Sequence, residues 1–466
     1  MVELPENRIG GRAGDWREPF DRDYDTVLYS SALRRLKGVT QVTPSTDGLS
    51  RSHDRLQHSL KVAQVGQRQG QYCQRQQNRD RLGSVIWPDA IAVAGLCHDL
   101  GHPPFGHVAE KELQKVLENS ESRWYLSDSF EGNAQTFRIL TRLSEKASGV
   151  AGAPVGMNLT LGSLAAGMKY PWRKGEAAAA MGDLYDSSYD KKWGFYDSDA
   201  AAWDKIKGLV PGGSYRSINA DIMDLADDVT YAAHDIHDYF RAGVIPLHAV
   251  GRALKTWSRG GKVEGEFEGF HEYAIGSLAS KDLIDGDQNA CFQKAVEWLC
   301  ELEFPARSYG DSVGDRRALH EFESGLVRYV QKEVYVSDDV SRLVVPQEIR
   351  VGLEYLKELT WYYVINHPSL SASQQGQRRI IRELHEGLCQ WADECGRPGT
   401  DDGKARRSLR RLPARFQDFL EGADNGDAGI SRSAVDFICT LTDAEAVSLH
   451  HNLTGTADSV ATVRWL

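Results

Sequence analysis

Residues 96–107 read LCHDLGHPPFGH. Three histidines and one aspartate (His98, Asp99, His102 and His107) crowd around a turn from Gly101 to Pro104. The run WPDAIAVAGLCHDLG leads into them, with Pro88 suited to a first helical turn and Gly101 to a C-terminal stop. This predicts a helix that ends at Gly101, within the run of histidines. Neighbouring residues on a helix point about 100° apart, so His98 and Asp99 reach one ion together only near a helix end. Imidazole nitrogen and carboxylate oxygen suit a hard or borderline divalent cation. An isolated His-Asp pair is more often a hydrogen-bonded histidine beside a cap, so ligands from elsewhere must decide.

Two segments offer them. LQHSLKVAQVGQ places Leu56, Leu60 and Ala63 at helical spacing and sets polar His58 among apolar neighbours. SINADIMDLADDVTYAAHDIHDYFRAG predicts a long helix ending near Gly243. On it Asp224, Asp227, Tyr231, Asp235 and Asp238 recur at steps of three and four, an acidic stripe opposite Leu225, Val229 and Ile236. Like charges at that spacing repel, so the stripe must face cations or be fully solvated.

Working outward, DSFEGNAQTFRILTRL predicts a helix with Asp128 and Ser129 as caps. Residues 147–216, rich in Gly, Ala, Tyr and Trp, read as a partly irregular insertion. Helical patterns return after about residue 245, in VGLEYLKELTWYYVI and GQRRIIRELHEGL, and 395–405 reads as a loop. Alternating strand patterns are rare. The fold class is mainly α: a helical core over 1–245 that includes the insertion at about 147–216, and a helical C-terminal region over 246–466.

Composition narrows the function. The 466 residues are 41% hydrophobic and 26% charged, ordinary for a soluble globular chain. The net charge of −11 argues against nucleic-acid binding by the bulk surface and requires a local basic pocket for any polyphosphate. Seven scattered cysteines, an odd number without a CxxC pair, point to reduced thiols and a cytoplasmic location. The polar N-terminus does not read as a signal peptide, and no apolar run is long enough to span a membrane.

Several blocks, in order, are similar to those of the bacterial deoxyguanosine triphosphate triphosphohydrolases, HD-domain proteins related to the SAM- and HD-domain dNTPases. They are SSALRRLKGVTQV, SRSHDRLQHSLKVAQVG, CHDLGHPPFGHVAE, FEGNAQTFRIL, MKYPW, KKWGFYDSD, ADDVTYAAHDIHD and LTDAEAVSLHHNLTG, covering about residues 15 to 456. The family converts a deoxynucleoside triphosphate to deoxynucleoside and inorganic triphosphate. The resemblance implies an HD-domain helical core in which His58, His98, Asp99 and Asp227 bind a divalent metal: manganese, magnesium or iron. It implies that His107 and Glu110 position the attacking water or protonate the departing 5′ oxygen, with His102 beside them. Arg55, Lys169, Tyr170 and Lys192 would contact the triphosphate. Gln41, Tyr231 and Asp235 would select the sugar, Tyr231 against C2′ and Asp235 on the 3′ hydroxyl. It further implies a homo-oligomer, tetramer or hexamer, with contacts from the C-terminal region.

Two other readings compete. One is an HD nucleotidase or phosphodiesterase acting on monophosphates or cyclic dinucleotides. The other is a non-catalytic protein that binds nucleotide or single-stranded DNA. A substrate panel separates the first, and a titration with single-stranded DNA at two salt concentrations tests the second.

Overall fold

The computed structural model describes residues 4–11, 14–41, 53–76, 85–144, 155–182, 185, 187–210, 215–262, 265–285, 290–396, 410–424 and 426–456. Among them, helix dominates, as the sequence predicts. The helices that matter for the site are α1 (Pro19–Leu28), α2 (Arg55–Gln76), α3 (Pro88–Cys97), α4 (His107–Leu117), α5 (Gly132–Arg138), α6 (Ile218–Arg241), α7 (Val313–Glu333), α8 (Gln347–Thr360), α9 (Pro368–Cys395), α10 (Asp427–Ile438) and α11 (Asp443–Thr454). One two-stranded antiparallel ribbon, β1 (Tyr335–Val336) with β2 (Leu343–Val344), pairs Tyr335 with Val344.

Helix α3 is the centre of the bundle. Every residue from Ala90 to Cys97 is buried, which is what an all-round apolar helix requires. Pro88 starts it and Asp89 lies in its first turn, against the positive end of the helix dipole. Helix α2 lies hard against it because glycine removes the side chains between them. A Cβ on Gly95 would fall 2.6 Å from the Ala63 backbone, and one on Gly66 would fall 2.9 Å from Ile91 and 3.4 Å from Ala226 of α6. Three helices therefore meet at backbone distance, and the side chains one turn away from these contacts converge.

Three large apolar clusters surround this junction. The first joins α6 to α7 and α8. The second joins α4 and the segment Trp124–Phe130 to α9, α10 and α11. The third joins α1 and α3 to the short helix Leu161–Gly167. Side chains on both sides of residue 245 share the first two.

Several expectations meet the structure directly. Helix α6 ends at Arg241, near Gly243, and Ser217 caps its start by accepting from Ala220 N. The described residues between 155 and 216 mix short helices with irregular backbone. None of the seven cysteines pairs with another, and among the described residues no helix is long and apolar enough to cross a membrane. The caps assigned to α5 need correction. The N-cap is Glu131, whose side chain accepts from Asn133 N and Ala134 N. Asp128 instead pairs with Arg432 at 2.7 Å, and Ser129 sits in the left-handed region at φ 50°. Most of the loop expected at 395–405 lies outside the described residues.

Candidate metal centre and acid–base site

Arg55 and His58 lie on the buried face of α2, His98 caps the end of α3, and Asp227 sits mid-way along α6. The glycine contacts bring the three helices together, so these side chains meet. One ligand atom each from His58, His98 and Asp227 lies within 4.8 Å of the other two. His58 Nε2 is 3.0 Å from Asp227 Oδ1, and His98 Nε2 is 3.6 Å from the same oxygen. Asp99 flanks the trio, its Oδ1 3.4 Å from His98 Nε2 and its Oδ2 accepting from Arg55 Nη1 at 2.6 Å.

This donor set fits a divalent cation. The Nδ1 of His98 lies 2.8 Å from the Gly95 carbonyl, to which it donates. Its Nε2 then points a lone pair at two carboxylates, and that buried atom has no hydrogen-bond partner. A lone pair facing carboxylate oxygens needs a positive charge between them. Without a metal the proton fills that role. Burial works to lower the His98 pKa, but Asp99 and Asp227 outweigh it and raise it to about 9. Burial likewise works against the Asp227 anion, yet His98, His58 and Lys169 hold its carboxyl well below the ordinary value.

A second cluster adjoins the first. His102 Nε2 is 3.2 Å from Asp99 Oδ1, and its Nδ1 is 3.6 Å from Glu110 Oε2. His107 Nδ1 is 3.0 Å from the same Glu110 oxygen, and the two imidazoles meet edge to face at 4.8 Å. These three residues also present ligand atoms within 4.8 Å of one another. Their surroundings differ from those of the trio. Lys192 Nζ already sits 3.1 Å from Glu110 Oε1 and 3.1 Å from Glu131 Oε1. The His107 side chain is 62% exposed. Burial would raise the Glu110 carboxyl, but Lys192, His107 and His102 hold it well below its usual value. Burial lowers His102 to about 4, so it is neutral near pH 7. A carboxylate clamping one face of an open imidazole orients a proton carrier.

Backbone geometry makes this cluster possible. Gly101 presses on the start of α5, where a Cβ would fall 2.1 Å from the Gly132 carbonyl. Thr136 Oγ1 accepts from Gly101 N and donates to the His98 carbonyl. Phe105 and Gly106 both take positive φ, 66° and 58°, which turns the chain sharply into α4 and sets His107 at its first position.

The acidic stripe of α6 faces cations over its first half. Lys169 Nζ binds Asp224 and lies 3.6 Å from Asp227 Oδ2. Arg216 bridges Asp224 and Asp221, and Lys357 Nζ lies 2.6 Å from Asp228 beside the stripe. At the far end the ring of His53 lies 2.7 Å from Asp238. Asp235 is the exception. Its buried Oδ2 has no hydrogen-bond partner, and burial together with Asp238 raises its pKa to about 8. Tyr231 is shifted up by burial and by the neighbouring Asp235. The Gln41 Oε1 and the Arg55 Nε are further buried atoms without a partner.

The structure thus brings His58, His98, Asp99 and Asp227 together and places His102, His107, Glu110 and Lys192 beside them. Arg55 joins the two clusters through Asp99. Lys169 meets the trio of His58, His98 and Asp227 from the other side, while Tyr170 lies edge-on to Trp172 at 5.6 Å. Sequence reasoning missed Arg216, Lys357 and His53, the partners of the stripe. The repulsion along α6 signalled that cations were needed but not which ones.

Comparison with known proteins agrees with this geometry. Residues 55–232 match the HD domain, and residues 343–452 match the phosphohydrolase-associated domain. A deoxyguanosinetriphosphate triphosphohydrolase-like protein of Corynebacterium glutamicum (strain R) is 33% identical over 455 residues, covering 94% of this chain and 92% of its own. Another protein so described, from Streptomyces coelicolor, is 32% identical over 97% of this chain and 95% of its own. A third, from Bifidobacterium longum, is 38% identical over 93% of this chain and 82% of its own. The chain is an HD-domain phosphohydrolase and belongs to the deoxyguanosinetriphosphate triphosphohydrolase-like family.

Proposed function

We propose that the protein hydrolyses deoxynucleoside triphosphates at the α-phosphate, dGTP foremost, and releases the triphosphate whole. The observation that carries this reading is the pairing of two unlike clusters across Asp99. One holds an unpaired His98 Nε2 among carboxylates; the other holds a clamped, open imidazole at His107. A cation bound by His58, His98, Asp99 and Asp227 would polarise the phosphate and lower the pKa of water. Manganese, magnesium and iron all suit that donor set.

The remaining work falls to side chains. Glu110 fixes the ring of His107 through Nδ1, leaving Nε2 to protonate the departing 5′ oxygen. Neutral His102 donates to Asp99 and so keeps that carboxylate aimed at the metal-binding trio. Lys192, Arg55 and Lys169 supply the local positive charge that an acidic protein must concentrate to hold a polyphosphate. Tyr170 lines the same region. The unpartnered Gln41, Arg55 and Asp235 atoms are suited to a hydroxylated ligand, since buried polar atoms without partners cost about 1–3 kcal/mol each until a ligand pairs them. Asp235 would accept from the 3′ hydroxyl, and the Tyr231 ring would exclude a 2′ hydroxyl.

Product analysis tests the reading. With Mn²⁺ and each of the four dNTPs, the expected products are deoxynucleoside and inorganic triphosphate, with the ribonucleotides turned over at least about a hundredfold more slowly. Deoxynucleoside monophosphate and pyrophosphate would contradict it.

A further inference from the structure

We propose that Asp443, at the start of α11, is a positioning residue that locks the catalytic turn to the sugar side of the pocket. The inference rests on the hydrolase reading above but concerns a residue with no part in metal or substrate contact. Asp443 lies 338 positions from Phe105 in the chain, yet its Oδ1 accepts from Phe105 N at 2.8 Å. Its Oδ2 accepts from Thr40 N at 3.0 Å and from the Thr40 hydroxyl. One carboxylate therefore bonds the backbone of two segments that are far apart in sequence.

Each segment carries part of the site. Phe105 is a non-glycine residue at φ 66°, between His102 and His107. Such a conformation is unfavourable for a side chain of this size and persists only where the surroundings enforce it. The Asp443 bond to its amide is such an enforcement. Thr40 precedes Gln41, and its carbonyl accepts from Arg55 Nη2 at 3.2 Å. Through Thr40, Asp443 steadies a sugar-selecting residue and the arginine that pairs with Asp99. A second contact runs in parallel. Arg35 donates to the carbonyls of Leu441, Leu100 and His102 at 2.9, 2.9 and 2.7 Å, tying the same C-terminal segment to the same turn. The fit is close: a Cβ on Gly38 would fall 2.6 Å from the Thr442 side chain.

The chemistry demands a carboxylate. Both oxygens face N–H donors, so asparagine would turn an amide N–H against one of them and leave that donor unpaired. Asp443→Asn is expected to lower kcat for dGTP by about tenfold or more, with a smaller change in KM and little change in Tm. Glu445→Ala is the structural control. Glu445 Oε2 accepts from Thr442 N and Oγ1 in the capping box of the same helix end, away from the turn. The substitution removes the box, so it is expected to lower Tm and leave kcat within about twofold. Amide hydrogen exchange reads the clamp without substrate: Phe105 and Thr40 should lose protection in D443N and keep it in E445A.

If D443N keeps both amides protected, or if kcat falls in proportion to Tm in both variants, the proposal is overturned. Should D443N not fold, Thr40→Val removes only the hydroxyl's bond, and a loss of about threefold in kcat with unchanged KM is the corresponding expectation; an unchanged kcat would overturn it. Because the exchange measurement needs no nucleotide, it decides the clamp even if the wild type is inert towards every dNTP, an outcome that would count against the hydrolase reading alone.

Discussion

The two histidine clusters use the same residue types to different ends. His58, His98 and Asp227 project from three helices whose backbones touch through Gly66 and Gly95, so their positions are fixed by the core of the bundle. His102, His107 and Glu110 sit around a turn with two positive-φ residues, held by Lys192, Glu131, Arg35 and Asp443. Both clusters place three ligand atoms within 4.8 Å. Each leaves one buried imidazole nitrogen without a hydrogen-bond partner, His98 Nε2 in the first and His102 Nδ1 in the second, but only His98 Nε2 lies near two carboxylates. In the second, an ammonium group already satisfies the glutamate. Rigid helices suit a tightly held ion, and an open, clamped imidazole suits a proton that must come and go.

The largest expected effect breaks the first cluster. Asp227→Asn should abolish tight Mn²⁺ binding in a calorimetric titration and lower kcat by about a thousandfold or more, because the metal's contribution vanishes with it. Glu110→Gln breaks the second cluster only. It should retain one Mn²⁺ per chain while kcat falls by about a hundredfold, the usual scale of a lost acid–base contribution. If E110Q also loses the metal, the division between the clusters is wrong.

Removing Lys192 sharpens the contrast further. Lys192→Met leaves buried Glu110 and Glu131 facing each other without a counter-ion, and burial together with Glu110 already raises the Glu131 pKa. The variant should raise KM for dGTP about tenfold, as expected for a lost charge-assisted phosphate contact, and move the acid limb of its pH–rate profile upward.

Two pH effects are smaller and opposite in origin. In the metal-free protein, His98 titrates near 9, above its ordinary value of 6.5. The stability that its proton contributes is present below about 6.5 and is lost as pH rises through 9. Mn²⁺ takes the proton's place, so the thermal shift on adding Mn²⁺ should grow between pH 7 and 9. Asp235 titrates near 8, above its ordinary 3.8. The folded state then binds more protons than the unfolded one between these values, and stability falls as pH rises. Asp235→Asn should melt a few degrees above wild type at pH 9, with the gap closing near pH 4.

The sequence carried the helical class, a helix end at the histidine turn (expected at Gly101 and found at Cys97), the extent of α6 and the need for cations along its acidic stripe, because each rests on local periodicity or local charge. The caps of α5 were misread because Asp128 and Ser129 satisfy the usual cap preferences, while the cap that forms, Glu131, is not a favoured cap type. The partners of the stripe were invisible for another reason. Lys357 and His53 approach α6 from separate parts of the chain, Arg216 folds back from just before its cap, and no local pattern distinguishes them from other polar surface residues. Asp443 belongs to the same class. Its block was legible as a resemblance, but its partners at Phe105 and Thr40 are set by packing of the second apolar cluster, which only the folded chain reveals.

Anomalous diffraction from crystals soaked in Mn²⁺ tests the central claim most directly. A single peak bounded by His58 Nε2, His98 Nε2 and Asp227 Oδ1 is the predicted result, with none at His102, His107 and Glu110. A peak at the second cluster, or no peak at the first, would contradict the account.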